Sequence, residues 1–406
     1  MINVVSFNGG RGARNLFTSF LEIEGVHITS IVNAYDDGKS TGNVRNFFRM
    51  LGPSDIRKVQ EVMVPTSLTD YKQVMHLYNY RYPYSDHDRI LSELTAFANG
   101  STNDLTGVVV SDHVILEALR TLVQHLVKGI QLIEKAEGKQ LSFEDCSIMN
   151  LIYAGAYLFC AGDFEDATIF IDKLFKLRGT VLPTNNEDKK LVAIREDGTI
   201  LYSEAEIVEL RSNSRIKKIY LLDQYPDRKV VAKMSIPEVE QYFEIMNRQV
   251  TITSKVERSI RDADIIIYSP GTQHSSLYPS YISKGLTESI VSNKKAFKVF
   301  VTNIGEDYET PSYTSEDFIN GALRYLRMGT RHTVAPNDLI SVALVNNSFS
   351  NKELEKYVKF TQAELDKIGC GILVDAFEDP KNPGKHDGKH LATYIMEKYY
   401  QQFKQS

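Results

Sequence analysis

Short apolar runs recur at both ends of the chain, and each is followed by a polar loop and then by a segment with helical spacing. The runs lie at residues 2–7, 26–32, 263–268, 297–302, 340–345 and 371–374. Continuous apolar runs of this length are typical of strands that are buried on both faces of a parallel sheet. Their alternation with helices predicts an α/β fold with a Rossmann-like, doubly wound and mostly parallel sheet.

The middle of the chain has a different pattern. Residues 65–175 are mainly helical, with apolar residues three and four apart along 114–133, which indicates a helix with one face in the core. Residues 178–223 carry short strands separated by turn residues, which predicts a small antiparallel β flap. We therefore predict one α/β domain over residues 1–406, with a helical insertion at 65–175 and a small β subregion at 178–223.

Composition narrows the function classes. The chain has 406 residues, with 47 Lys and Arg against 52 Asp and Glu, and this net charge of −5 argues against a dedicated nucleic-acid binder. It contains no run of ~18 apolar residues, so no membrane span is predicted. Three scattered cysteines and a first segment that reads as a strand, not as a signal peptide, fit a reducing cytoplasm. A homodimer is the expected assembly, because cyclic dimers are the commonest oligomers.

The polar loop at residues 33–42 follows the apolar run at 26–32 and precedes a predicted helix at 43–51. In open α/β sheets, ligands bind at such carboxyl ends of strands, so we expect Asp36, Asp37, Ser40 and Thr41 to face a ligand or its metal ion. The alternative is a solvated turn that caps the next helix, since the same residue types favour turns. A P-loop is excluded, because Asn33 stands where that motif requires glycine.

A second polar turn follows the first apolar run. It consists of Asn8, Gly9, Gly10, Arg11 and Gly12, and a helix is predicted from about residue 15. Backbone N–H groups of a glycine-rich turn can approach an anion at the positive end of a helix. A tight turn without a ligand is the alternative.

Further polar residues lie at the ends of other predicted strands and helices. Asp55 and Arg57 lie at the start of the helix after the 33–42 loop, where capping by Asp55 would leave Arg57 unexplained. The loop after the apolar run at 263–268 contains Gly271, Thr272, His274, Ser275 and Ser276, and Asn303 closes the run at 297–302. Because the carboxyl ends of parallel strands meet at one edge of a sheet, we expect these loops to share one crevice.

Taken in order, these loops resemble the CofD-like family of 2-phospho-L-lactate transferase and, within it, the YvcK-like gluconeogenesis factor branch. Asn8-Gly-Gly-Arg-Gly12 stands where the family has Gly-Gly-Gly-Thr-Gly. Asp36-Asp-Gly-Lys-Ser-Thr-Gly-Asn-Val-Arg45 resembles Asp-Asp-Gly-Gly-Ser-Ser-Gly-x-Leu-Arg, and Met50-Leu-Gly-Pro-Ser-Asp-Ile-Arg57 resembles Met-Leu-Pro-Pro-Gly-Asp-Ile-Arg. The loop from Ser269 resembles Gly-Pro-Gly-Ser-Leu-Tyr-Thr-Ser, so Arg11 and His274 replace the family's threonine and tyrosine. The chain is therefore expected to be a divergent member.

The resemblance implies a protein that binds a nucleotide-activated small molecule of the UDP-sugar type and regulates carbon metabolism or envelope synthesis. The expected nucleotide and phosphate contacts are Asn8, Gly9, Gly10, Arg11, Gly12, Ser40, Thr41, Arg45, Arg57, Gly271, Thr272, His274, Ser275, Ser276 and Asn303. Arg45 and Arg57 would neutralise phosphate, or alternatively pair with Asp36 and Asp55.

Two other functions stay open at this point. In a transferase that uses a nucleoside-diphosphate-activated donor, Asp36, Asp37 and Asp55 would be catalytic, with Mg²⁺ held by Asp36 and Asp37 and no redox cofactor. In an interaction protein with an inactive site, the departures at Arg11 and His274 would have removed ligand binding.

Overall fold

The computed structural model describes residues 1–10, 12–350 and 356–404. The chain divides into two compact units, of which the first combines residues 1–33 with 189–406 and the second is the continuous stretch 34–188. In chain order the strands are β1 (Ile2–Asn8), β2 (Val26–Val32), β3 (Asp104–Leu105), β4 (Val108–Val109), β5 (Thr180–Pro183), β6 (Lys190–Arg195), β7 (Ile200–Leu201), β8 (Ile216–Leu222), β9 (Ile265–Tyr268), β10 (Phe297–Val301), β11 (Val342–Asn346) and β12 (Gly371–Asp375).

Helices connect these strands. In chain order they are α1 (Arg14–Leu21), α2 (Lys39–Phe48), α3 (Ser54–Met63), α4 (Tyr71–Asn79), α5 (His87–Ala98), α6 (His113–Glu137), α7 (Ile148–Phe159), α8 (Phe164–Leu174), α9 (Glu204–Glu209), α10 (Arg228–Val231), α11 (Ile236–Met246), α12 (Ser254–Asp262), α13 (Tyr278–Tyr281), α14 (Leu286–Ser292), α15 (Ser315–Met328), α16 (Pro336–Leu339), α17 (Gln362–Leu365) and α18 (Gly388–Lys404). A short π-helical turn, Gln273–Leu277, precedes α13.

The first unit is organised by a parallel sheet. Its strands lie in the order β12, β11, β10, β9, β1 and β2, and each pairs in parallel with its neighbour. Every residue of β9, β10 and β11 is buried, as expected for strands covered on both faces. Since β1 lies between β2 and β9, the chain order reverses between β1 and β9, which is the switch point of a doubly wound sheet. The predicted fold class is confirmed.

A small antiparallel sheet also belongs to the first unit. Strand β6 pairs with β7 on one side and with β8 on the other. Its core contains Val192 and Tyr220 from the sheet and Val239 and Phe243 from α11, all buried. The antiparallel strands predicted within 178–223 are therefore present as β6, β7 and β8, whereas β5 does not join this sheet and belongs to the second unit.

The second unit is mainly helical and has its own core. In α6, Leu119, Leu122 and Leu126 recur on one face and are fully buried. Helices α6 and α7 approach closely at Gly155, where an added Cβ would lie 2.2 Å from the carbonyl oxygen of Leu122. Within the described part of the chain, no helix is both long and apolar enough to cross a membrane.

Candidate functional site

Polar side chains join the carboxyl ends of the central strands in the first unit. Asn8 ends β1, and its side-chain amide donates to the hydroxyl of Ser30 in β2 at 2.7 Å. The Ser6 hydroxyl lies 3.1 Å from the Asn8 amide oxygen and 2.8 Å from the hydroxyl of Ser269, which follows β9. All four residues are buried. Ser6 and Asn8 together therefore link three adjacent strands at the switch point of the sheet.

The glycine turn after β1 and the loop after β9 meet with no room for side chains. A Cβ added to Gly9 would lie 2.1 Å from the Cβ of Ser276, and one added to Gly12 would lie 2.6 Å from the Cα of Gly271. Real Cβ atoms do not approach other atoms so closely, so glycine at both positions permits this contact. The sequence expectation that these two loops come together is met inside the first unit, whereas Arg11 lies outside the described residues.

Two asparagine side chains fix the loop after β9. The Asn303 amide donates to the Gly271 carbonyl at 3.0 Å and accepts from the Gly271 N–H at 2.9 Å. Asn33, at the end of β2, donates to the carbonyl oxygen of Ser275 at 2.8 Å. Gly271 itself has φ of 152°, in the region that favours glycine. Asn303 thus shapes the loop through its backbone.

Glu309 belongs to this group of residues, although sequence reasoning missed it. Its carboxylate accepts the N–H groups of His274 and Ser275, both at 3.0 Å, and also the hydroxyl of Ser275. Burial, followed by the charge of Asp307, raises the pKa of Glu309 to about 8. The sequence did contain a signal for Glu309, since this carboxylate lies six residues beyond Asn303 in the same loop after β10.

His274 packs inside an aromatic cluster. Its ring is 4.9 Å from the ring of Tyr278, and it also contacts Tyr313 and Tyr325. Its side chain is 1% exposed, and burial, together with the charges of Arg324 and Arg195, lowers its pKa to about 3. His274 is therefore a neutral ring in the core of the first unit.

In the second unit, Ser40 and Thr41 lie in the first turn of α2, where both are buried. The Ser40 hydroxyl accepts hydrogen bonds from the Ser147 N–H and the Asn150 side-chain amide, both at 3.1 Å. The same amide donates to the Thr41 hydroxyl at 3.3 Å. The two hydroxyls therefore join α2 to the start of α7. Helix α2 also begins four residues earlier than predicted, because Gly38 already has the extended conformation of an N-cap.

Two buried arginines accompany these helices. Arg45 donates from Nη2 to the carboxylate of Asp188 at 2.7 Å and from Nη1 to the Tyr35 carbonyl at 2.6 Å. Arg57 donates from Nη1 to the Tyr78 carbonyl at 2.8 Å, and its buried Nε finds no hydrogen-bond partner among the described residues. Burial, followed by the charge of Arg81, lowers the pKa of Arg57. The anion contact expected of Arg57 stays a prediction.

The carboxylates that converge in the second unit belong to Asp36 and Asp55. The ammonium of Lys58 lies 2.9 Å from Oδ1 of Asp55 and 3.9 Å from Oδ2 of Asp36. Burial, followed by the charge of Asp55, raises the pKa of Asp36. The Asp37 backbone carbonyl lies against α2, since a Cβ on Gly42 would be 2.1 Å from it. Lys58 was not singled out in the sequence.

These residues can be tested for their fit to the expected Mg²⁺. Magnesium binds one or two carboxylates at about 2.0–2.1 Å together with waters. Lys58 already places a positive charge 3.9 Å from Oδ2 of Asp36, which disfavours a divalent ion on that oxygen. Within residues 1–10, 12–350 and 356–404, no group of three His, Cys, Asp or Glu side chains could hold a metal ion. Mg²⁺ at Asp36 and Asp37 stays a prediction.

Comparison with known proteins places the chain in a family. Residues 4–375 match the family described as 2-phospho-L-lactate transferase CofD. The gluconeogenesis factor of Bacillus subtilis is 25% identical over 396 residues, with 97% of each chain covered. A putative gluconeogenesis factor of Aquifex aeolicus is 26% identical, with 97% of this chain and 96% of that protein covered.

A solved structure agrees at the level of the fold. A crystal structure of a Bacillus halodurans protein superposes with a TM-score of 0.67 at 21% identity, covering 97% of this chain and 99% of that one. The chain therefore belongs to the CofD family. It is a divergent member that is similar to the gluconeogenesis factors of that family.

Proposed function

We propose that the first unit binds a nucleoside-diphosphate-activated small molecule of the UDP-sugar type at the carboxyl ends of β1 and β9. One observation carries the proposal, namely the contact of the two loops at Gly9 and Gly12, where neither position has room for a side chain. Glycine at both positions leaves the backbone of the turn after β1 without side chains of its own, and α/β proteins bind diphosphates through such backbone N–H groups.

Helix α1 supports a diphosphate at this place. It begins at Arg14, and its N-cap residue Ala13 makes no side-chain hydrogen bond to the first turn. The leading N–H groups of an uncapped helix need acceptors and carry a partial positive charge. A diphosphate beside the glycine turn would supply those acceptors, while Thr272 and Ser276, whose hydroxyls are 2.8 Å apart, lie in the facing loop.

The biological role we propose is regulation of carbon metabolism or envelope synthesis in the cytoplasm. Its support is the name gluconeogenesis factor carried by the relatives in Bacillus subtilis and Halalkalibacterium halodurans. In this role the bound nucleotide is a signal, so the protein returns it chemically unchanged. The buried position of His274 means that this departure from the family motif fills the core of the first unit.

Transfer of a phospho-linked group is the second candidate function. The convergence of Asp36 and Asp55 in the second unit favours it, since paired carboxylates are the residue type that phosphoryl chemistry uses. Release of free nucleotide from the donor in the presence of an acceptor would separate this function from regulation, because a regulator leaves the donor intact.

Calorimetric titration of the whole chain with UDP-N-acetylglucosamine and with GDP tests the main proposal. We expect binding of at least one nucleotide, and a loss of affinity of about tenfold in Thr272→Val, since a lost hydrogen bond costs about 1 kcal/mol or more. Thr330→Val is the matched control, because Thr330 follows α15, which returns the chain to the amino edge of the sheet. The proposal would be overturned if neither nucleotide bound, or if both variants lost affinity equally.

A further inference from the structure

The feature that carries a further inference is the contact of Lys58 with two carboxylates in the second unit. The side chains of Asp36, Asp55 and Lys58 are 17%, 10% and 27% exposed, so each keeps some contact with solvent. Two acids and one ammonium form this group. Its geometry depends on how the backbone places the two acids.

Backbone packing fixes the distance between the acids. The Gly52 N–H donates to the Ala34 carbonyl at 2.8 Å, and a Cβ on Gly52 would lie 2.2 Å from the Asp36 carbonyl. The segment before α3 therefore lies directly on the 34–37 loop. Oδ1 of Asp36 accepts the Gly38 N–H at 3.1 Å, which leaves Oδ2 to face the ammonium.

Lys58 reaches both acids from the same helix turn as Asp55. Residues three apart on a helix are neighbours on its surface, and the Asp55–Lys58 pair has this spacing. Lysine is cationic at neutral pH, and contact with two carboxylates further favours the charged form of Lys58. The ammonium is held where a divalent ion would have to bind.

We propose that the Lys58 ammonium is a built-in counter-cation, which occupies the Asp36–Asp55 pair and excludes divalent metal ions from it. The ammonium, at 2.9 Å from Asp55 and 3.9 Å from Asp36, already neutralises charge on the pair and would repel a divalent ion beside the same carboxylates. Lys58 thus sets the cation specificity of this pair. The inference goes beyond the proposed nucleotide binding, which rests on the first unit.

Manganese binding by the whole chain without nucleotide tests the inference, measured by electron paramagnetic resonance of free Mn²⁺. We expect weak binding by the wild-type protein and binding at least tenfold tighter in Lys58→Met, which keeps the length of the side chain and removes its charge. Lys39→Met, which removes the same charge from the exposed first residue of α2, should bind Mn²⁺ as the wild type does.

Three further measurements make the test decisive. The double variant Lys58→Met with Asp55→Asn should lose the increase in Mn²⁺ affinity. Lys58→Arg should bind Mn²⁺ as weakly as the wild type does. Thermal unfolding shows whether each variant is folded, and Lys58→Gln replaces Lys58→Met if that variant is not. Wild-type binding as tight as that of Lys58→Met, no gain in any neutral variant, or a gain that survives Asp55→Asn would each overturn the inference. Since no nucleotide is present, failure of the nucleotide proposal leaves this result unaffected.

Discussion

At the scale of single residues, the protonation of Glu309 is expected to affect the stability of the first unit. In the unfolded chain its carboxyl ionises near pH 4.5, whereas burial raises the pKa in the folded protein to about 8. Between these two values the unfolded state releases the proton and the folded state retains it. Stability is therefore expected to fall as pH rises from about 4.5 to 8, and the loss is complete above 8.

Glu309→Gln tests this expectation, because the amide oxygen can still accept the N–H groups of His274 and Ser275 while no proton is lost. The free energy of unfolding of the wild type, relative to that of the variant, should decrease by about 2–4 kcal/mol between pH 5 and pH 8.5. Urea denaturation at a series of pH values measures the difference. Glu397→Gln on the exposed side of α18 is the control for the chemical effect of replacing a glutamate by glutamine. A flat difference for Glu309→Gln would mean that the carboxyl ionises normally in the folded protein.

At the scale of elements, the turn after β1 packs directly against the loop after β9. Gly9→Ala brings a methyl group against the Cβ of Ser276, so we expect a loss of about 1–3 kcal/mol, as for overpacking in a core. Ser276→Gly removes the Cβ atom with which this methyl group clashes. The double variant should therefore recover most of the loss, with a coupling of about 1 kcal/mol or more in a double-mutant cycle by urea denaturation.

Gly12→Ala provides the matched comparison for that cycle. Its added Cβ would meet the backbone of Gly271 and the carbonyl of Pro270, at 2.6 and 2.9 Å, and not the side chain of Ser276. Ser276→Gly should consequently leave the loss in Gly12→Ala unchanged. Equal rescue of both glycine variants would show that Ser276→Gly stabilises the protein in a general way and that the loops do not meet as described.

The elements were predictable from the sequence because apolar runs and helical spacing reflect burial directly. The strands of the parallel sheet and the antiparallel strands around Val192 came from such patterns. Individual contacts were less accessible. Asp188, which pairs with Arg45, is 143 residues away along the chain, and no local pattern encodes that distance. Lys58 sits beside predicted site residues, yet a lysine on a helix reads as a solvated charge until the fold brings Asp36 next to it.

At the scale of the whole molecule, the two units differ in how the chain builds them. The second unit is a continuous stretch of about 155 residues, within the usual size range of a domain. The first unit is assembled from residues 1–33 and 189–406, so its parallel sheet needs strands from both segments. The second unit has a helical core of its own in α6 and α7. These facts predict that residues 34–188 fold without the rest of the chain.

Two glycines in α6 and α7 allow this to be tested within one core. A Cβ at Gly155 would meet the backbone of Leu122, which cannot give way, whereas a Cβ at Gly129 would meet the terminal methyl of Leu158, which can rotate. Gly155→Ala should therefore destabilise by about 1–3 kcal/mol, and Gly129→Ala should be neutral or stabilising, because alanine favours a helix by about 1 kcal/mol. Urea unfolding of fragment 34–188, followed by circular dichroism, should be cooperative and should separate the two variants as the full chain does. A gradual transition, or two variants that behave alike in the fragment but not in the full chain, would mean that the α6–α7 core depends on the rest of the protein.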